Sequence, residues 1–144
     1  MEQYQVSFVE AIKRAFSKYC VFTGRASRSE YWWFTLFVAV VSIILCIPMT
    51  IESVTMMQQA MSTGAVPAKP TPGIMTYVYY LWTLVVFLPS LSLMFRRLHD
   101  TGRSGWNCLW DFLPIAGQIV LIVLCCQPSQ PMDNKYGLVP NVRM

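Results

Sequence analysis

Two short polar motifs hold most of the residues in this chain that are capable of chemistry. The first runs from Gly24 to Trp32 (GRASRSEYW) and the second from Arg96 to Trp106 (RRLHDTGRSGW). Together they contribute eight ionisable candidate site residues: Arg25, Arg28, Glu30, Arg96, Arg97, His99, Asp100 and Arg103. Guanidinium groups bind phosphate or carboxylate oxygens, and a histidine can transfer a proton near neutral pH. The chemistries open to these residues are therefore anion binding, a structural charge network and acid–base catalysis.

Catalysis is the weakest of these hypotheses. His99 is the single histidine of the chain and stands beside Asp100, but no nucleophile, metal-ligand set or glycine-rich phosphate loop accompanies the pair. The cysteines form no C-x-x-C pair, which leaves zinc and iron–sulfur ligation poorly supported; they are Cys20, Cys46, Cys108, Cys125 and Cys126. We therefore predict that the chain is not an enzyme and that it holds no metal and no cofactor.

The composition indicates a membrane protein. The 144 residues are 55% hydrophobic and only 12% charged, whereas a soluble domain is about 25% charged. So few charges cannot cover a surface that faces water, and the predicted partner of much of the chain is the lipid bilayer. Nucleic-acid binding is not predicted, because the aromatic residues lie in apolar runs rather than among exposed cations.

Two uncharged apolar runs are long enough to cross a bilayer as helices. They cover residues 31–51 and 74–95. A helix of 21 residues rises about 31 Å, close to the thickness of the hydrocarbon core. Ser27 precedes the first run in a capping-box pattern, and Pro48 and Pro89 predict kinks in the two helices. We expect at least these two segments to span the membrane.

The segment 106–126 is the third candidate for a span. It is apolar overall but contains Asp111, Pro114 and Gln118. Our first prediction is a full span, with Asp111 near headgroup depth, where it costs less than the roughly 2.5–3.5 kcal/mol expected at the bilayer centre. The alternative is an interfacial segment that ends at Pro114 and is followed by a shorter buried helix.

The segments outside the apolar runs are more polar. Residues 4–20 predict an amphipathic helix with an apolar stripe that includes Val9 and Phe16. We favour a position flat on the membrane interface for this helix, over packing on the rest of the protein. Residues 52–73 are rich in proline and glycine and predict a flexible loop, with a short helix around Val54–Met61 as an option.

The fold predicted from these elements is all-α. We expect a small polytopic membrane helix bundle of about three transmembrane helices with an amphipathic interfacial helix at its N-terminus. Residues 1–30 form the interfacial segment, 31–126 the transmembrane bundle and 127–144 a polar tail. The basic N-terminal segment and the basic loop 96–105 predict a cytoplasmic location, which puts the loop 52–73 in the periplasm.

The side of the tail stays open at this point. Three spans would place the tail opposite the N-terminus. Lys135 and Arg143 argue mildly against that, because short basic segments tend to remain cytoplasmic.

The two polar motifs also carry a resemblance to a known family. The patterns F-x-G-R-x-S-R-x-E-Y-W from Phe22 and R-R-L-H-D-x-x-R-S-G from Arg96 resemble the bacterial inner-membrane family known as domain of unknown function 805, the YhaH/YhaI-like proteins. The segments 114–117 and 134–137 resemble two further motifs of that family, while Asn107 departs from its pattern. The resemblance covers roughly residues 15–137 and implies a multi-pass inner-membrane protein without an established activity.

Two functional hypotheses remain. In the first, the charged cluster locks the cytoplasmic ends of the helices and also binds an anion, because arginines beside helix N-termini at Ser27 and Ser104 suit the phosphate of an anionic phospholipid. In the second, the chain is a subunit of a small oligomeric transporter or channel that uses Asp111 and Gln118. The second hypothesis requires a homo-oligomer, because three helices cannot enclose a path alone.

Overall fold

The computed structural model describes residues 4–64 and 73–141, and these residues form helices without an extended strand. In chain order the α-helices are α1 (Phe8–Ser17), α2 (Arg28–Thr63), α3 (Ile74–Asp100) and α4 (Ala116–Cys126), with a 3-10 helix at Gly105–Phe112 between α3 and α4. The all-α fold predicted from the sequence is confirmed.

The chain divides into two compact units. The terminal unit takes its residues from 1–37 and 87–144, and the middle unit from 38–86. Both α2 and α3 contribute residues to each unit. The candidate functional residues all belong to the terminal unit, which is therefore the part that matters most for function.

Within the described residues, α2 and α3 are the two helices long and apolar enough to cross a membrane. With 36 residues, α2 rises about 54 Å at 1.5 Å per residue. The 27 residues of α3 rise about 40 Å. Pro48 and Pro89 lie inside these helices, and the kinks at both positions stay predictions.

The flexible loop predicted over residues 52–73 is wrong for its first half, since α2 continues to Thr63. Residues 52–63 contain no glycine or proline and several good helix formers, so nothing local stops the helix. It ends before Gly64, whose φ of 66° is the left-handed conformation typical of a helix C-terminus. The proline-rich stretch 65–72 lies outside the described residues.

The described helices of the middle unit present much apolar surface. Trp82 donates a hydrogen bond of 3.0 Å from Nε1 to Ser42 Oγ, which joins α3 to α2. Large aliphatic side chains such as Ile43 and Leu84 are exposed. Such a surface is unfavourable in water and suited to lipid.

In the terminal unit, α1 packs against the beginning of α2. Ala11 and Ala15 are fully buried, and the ring of Phe16 lies 5.8 Å from that of Phe34 in an edge-to-face contact. The predicted stripe was placed partly on the wrong face, because Val9 remains exposed. The helix therefore rests on its own chain along its alanine face, and its place at the membrane interface stays a prediction.

The single continuous helix predicted over 106–126 is wrong. The 3-10 helix ends at Phe112, and α4 begins at Ala116 and has only 11 residues. Proline excludes the residue before it from the helical region, and Leu113 is accordingly extended at φ −90° and ψ 111°. The division near Pro114 agrees with the alternative, but α4 is only partly buried, and the interfacial position of the segment before it stays a prediction.

Candidate functional site

The two polar motifs meet in the terminal unit. The backbone N–H of Ala26 donates to the carbonyl of Arg96 at 3.0 Å, and the rings of Phe22 and Phe95 pack edge to face at 5.4 Å. The segment 22–27, which precedes α2, therefore lies alongside the last turns of α3. This contact brings charged residues from both motifs together.

Asp100 is the centre of the first charge cluster. Its Oδ1 accepts from Arg25 Nε at 2.9 Å, and its Oδ2 accepts from Arg97 Nη1. The side chains of all three residues are at most 1% exposed. Arg97 and Asp100 stand three residues apart at the end of α3 and so share a helix face, whereas Arg25 approaches from the segment before α2.

The remaining donors of Arg25 and Arg97 reach backbone carbonyls. Arg25 donates from Nη1 to Met132 O at 2.9 Å and from Nη2 to Gln130 O at 2.7 Å. Arg97 donates from Nε to Cys125 O at 3.0 Å. Every guanidinium nitrogen of these two arginines therefore has an acceptor within the protein, and both side chains are enclosed by protein.

Glu30 and Arg96 form the second cluster. Arg96 Nη1 donates to Glu30 Oε1 at 3.1 Å, and both side chains are at most 3% exposed. The Glu30 backbone N–H donates to Ser27 Oγ at 3.3 Å, which caps the start of α2. Among the described residues, Arg96 Nε and Nη2 have no hydrogen-bond partner. The pairing with Glu30 is therefore what compensates this buried charge.

Arg14 of α1 extends the second cluster toward the surface. Its Nη1 lies 3.9 Å from Glu30 Oε2, and its Nη2 donates to Tyr4 Oη at 2.7 Å and to Glu10 Oε1 at 2.6 Å. Burial acts to lower the pKa of Arg14, but the hydrogen bond to Tyr4 and the nearby carboxylates outweigh it and raise that pKa. The guanidinium stays charged and fastens α1 to the cluster.

His99 and Asp100 do not act as a pair. The ring of His99 lies 3.9 Å from that of Tyr136 and is stacked on it at 5°. Its Nδ1 is 3.3 Å from Gly24 O, while Asn134 Nδ2 donates to the His99 carbonyl at 2.9 Å. The acid–base arrangement considered from the sequence is therefore not formed, and His99 serves as a packing surface for the tail.

The tail was the part of the site that sequence reasoning missed. Gln130, Met132, Asn134 and Tyr136 all contact residues of the two polar motifs. The one available signal was the N-K-Y-G segment 134–137, which resembled a family motif but suggested no contact. No periodic pattern connects it to Arg25 or His99.

Arg28 and Arg103 stand apart from the buried clusters. Both are exposed, and within the described residues neither forms an ion pair within 4 Å. Arg28 is the first residue of α2. Of the eight predicted residues, the structure therefore gathers six into buried or half-buried contacts and leaves two facing outward.

A cavity of about 600 Å³ lies at the start of α2. Its walls combine one guanidinium, serine hydroxyls and two indole rings, and they contain no carboxylate. The lining residues are Tyr4, Gln5, Ser27, Arg28, Ser29, Trp32, Trp33, Cys126, Ser129 and Asn141. Chemically, this cavity suits a group that is anionic at one end and apolar at the other.

Residues 4–64 and 73–141 contain no candidate metal site. No three His, Cys, Asp or Glu side chains converge there into a set of ligands. The five cysteines are free.

Comparison with known proteins gives consistent matches along most of the chain. The family model described as "Protein of unknown function (DUF805)" matches residues 19–138. "Inner membrane protein YhaI" of Escherichia coli K12 is 37% identical over 122 residues, which cover 85% of this chain and 87% of the relative. "Inner membrane protein YhaH" of the same strain is 33% identical over 129 residues, 90% and 94% of the two chains. No solved structure matches the chain.

Proposed function

Because this chain belongs to the DUF805 family of unknown function, we propose its role from the geometry of the terminal unit. It is a protein of the bacterial inner membrane, as its relatives are. We propose that it acts without catalysis and that the cavity at the start of α2 binds the phosphate group of an anionic phospholipid. The buried arginine and carboxylate clusters form the scaffold of this site.

The position of Arg28 carries the proposal. Its side chain is exposed, lines the cavity and stands at the N-terminus of a long helix, where the helix dipole also favours an anion. Trp32 and Trp33 lie one turn further along α2 and line the same cavity. Indole rings are enriched at the level of lipid headgroups, so the cavity matches both parts of a phospholipid at the interface.

The buried arginines support the site indirectly. Three guanidiniums (Arg25, Arg96 and Arg97) stand against two carboxylates (Glu30 and Asp100), which leaves one positive charge in excess within the clusters. This excess favours an anion nearby, but the side chains that produce it are enclosed by protein. The sequence predicted anion binding by the whole cluster, and we now propose Arg28 as the residue that binds the anion.

The orientation in the membrane follows from the basic segments. The contact between Ala26 and Arg96 supports placing the beginning of α2 and the end of α3 on one side of the membrane. The positive-inside rule assigns that side to the cytoplasm, and a connection between two spans would then be periplasmic. Anionic lipids of the cytoplasmic leaflet attract cations at this face, as the proposal requires.

The decisive experiment compares two exposed arginines. Arg28→Gln removes the cation in the cavity, and Arg103→Gln removes an equal charge outside it. We expect the natural chain and Arg103→Gln to retain phosphatidylglycerol through purification, and Arg28→Gln to lose most of it. Bound lipid is measured by native mass spectrometry. Equal retention by both variants, with both folded, would contradict the proposal.

The alternative of an oligomeric transporter or channel subunit depends on Asp111 and Gln118. Both side chains are exposed and neither lines the cavity. No contact in the described part of the chain favours a path through the protein, and we retain the lipid-binding proposal.

A further inference from the structure

The 3-10 helix and α4 form a hairpin whose two ends are fixed close together on α3. At its start, Gly105 lies so close to the ring of Phe95 that a Cβ atom would overlap the ring. At its end, Arg97 donates to the carbonyls of Cys125 and Gln127. The chain therefore leaves the last turns of α3 and returns to them within 105–127.

The turn of this hairpin is tight. The backbone N–H of Leu113 donates to Trp110 O at 2.9 Å, and that of Ala116 donates to Pro114 O at 2.8 Å. Pro114 has no N–H to satisfy. Gly117 lies directly against the carbonyl of Trp110, where a side chain would not fit.

The 3-10 helix carries one exposed apolar stripe. With three residues per turn, Trp106, Leu109 and Phe112 lie on one face, and their exposures are 71%, 50% and 83%. Asp111 belongs to a different face, about 120° away. Asp111, the charged residue that made a full span less favourable, is therefore separated from the stripe.

A second exposed apolar stripe lies on α4. Ile119, Ile122 and Val123 follow at three- and four-residue spacing and are all more than half exposed. The opposite face of α4, with Leu121, is buried. Each arm of the hairpin thus presents a continuous apolar surface that no described residue covers.

The hairpin is too short to cross a bilayer. The 11 residues of α4 rise about 16.5 Å, roughly half of a 30 Å hydrocarbon core. The tail that follows α4 lies beside the N-terminal segment, since Tyr4 N–H donates to Asn141 O at 3.0 Å and Arg25 binds the Met132 carbonyl. Tyr4 and Asn141, the first and last described residues, therefore lie together in the unit that holds the start of α2.

We propose that residues 105–126 form a re-entrant hairpin that enters one membrane leaflet and returns without crossing it. The stripes of Trp106, Leu109 and Phe112 and of α4 contact the acyl chains of the leaflet on the side where α2 starts, while Asp111 lies on the face of the 3-10 helix that is turned away from them. The protein then crosses the membrane twice, through α2 and α3. This proposal is independent of lipid binding at Arg28.

Spin-label accessibility tests the contact with lipid. Single cysteines are placed at each position from 106 to 112 in the full chain, with its native cysteines replaced by alanine, in vesicles of phosphatidylethanolamine and phosphatidylglycerol. We expect oxygen accessibility to peak every third residue, at 106, 109 and 112. A water-soluble nickel complex should reach a label at 111, and one at the exposed tail residue Leu138, several-fold better than a label at 112.

Two results would contradict the proposed contact between the hairpin and lipid. Access of the nickel complex to all positions would place the hairpin in water. Protection of 109 and 112 from both reagents would indicate that a second copy of the chain, not lipid, covers the stripe.

A reporter fusion tests the number of crossings on the natural chain. Green fluorescent protein, which fluoresces only on the cytoplasmic side, and alkaline phosphatase, which is active only in the periplasm, are fused in turn to each terminus. We expect both termini to report the same side. Opposite sides would mean that 105–126 crosses the membrane, and this readout remains valid even where a cysteine variant fails to fold.

Discussion

At the scale of single residues, burial separates the arginines that stabilise the terminal unit from Arg28, for which we propose a ligand. Arg25 and Arg97 share the carboxylate of Asp100 and use their other donors on carbonyls. Arg28 keeps its guanidinium at an open cavity. The same residue type therefore occupies two environments in one motif, and sequence spacing alone cannot distinguish them.

The Asp100 carboxylate should be indispensable for stability. Asp100→Asn leaves two buried guanidiniums without a counter-charge, and removing one partner of a buried ion pair typically costs about 3–5 kcal/mol. We expect a large fall in the unfolding temperature in detergent. Asp133→Asn is the matched control, because Asp133 is exposed and its Oδ1 only accepts from Val139 N–H. Similar unfolding temperatures for both variants would contradict the role of Asp100.

At the scale of elements, close contacts decide where helices stop and turn. The sequence signals for α2 and α3 were strong, because an uncharged apolar run of about 20 residues is typical of a transmembrane helix. The division at Leu113–Ile115 was signalled only by Pro114. Its geometry depends on Gly117 meeting the Trp110 carbonyl, a contact that the sequence pattern does not encode.

Gly117 should therefore be sensitive to the smallest substitution. Gly117→Ala places a methyl group against the Trp110 carbonyl, and overpacking of this kind typically costs about 1–3 kcal/mol. We expect the displaced α4 to expose Cys125, which is 1% exposed in the structure, and to speed its reaction with a maleimide. Ile119→Ala, on the exposed face of α4, should leave the reaction rate unchanged. An unreactive Cys125 in Gly117→Ala would show that the hairpin tolerates the methyl group.

At the scale of the whole molecule, the terminal unit is closed by contacts between distant parts of the sequence. The class of fold and its two long helices were predictable, because they follow from local composition and run length. The partners of Arg25 were not, since its acceptors at Gln130 and Met132 are backbone carbonyls and a carbonyl is present at every residue. Only the folded chain selects which of them an arginine reaches.

Removing the tail should destabilise the terminal unit. A chain that ends at Gln127 removes the Met132 carbonyl from Arg25 Nη1, the Gln130 carbonyl from Arg25 Nη2 and the stacking partner Tyr136 from His99. We expect a lower yield of folded protein in detergent and a lower unfolding temperature. Met132→Ala is the control, because the Met132 side chain is exposed and its carbonyl remains. Equal stability of the truncated and natural chains would show that the tail contributes little.

The long sequence separation between Arg25 and its acceptors has a consequence for biosynthesis. The carbonyls that it reaches are made 105 and 107 residues after it, when the residues of both long helices have already been synthesised. Until then the guanidinium has no carbonyl acceptor there, and a hydrated cation beside a span favours the cytoplasmic side. Arg25 can therefore act during membrane insertion before its contacts with the tail form.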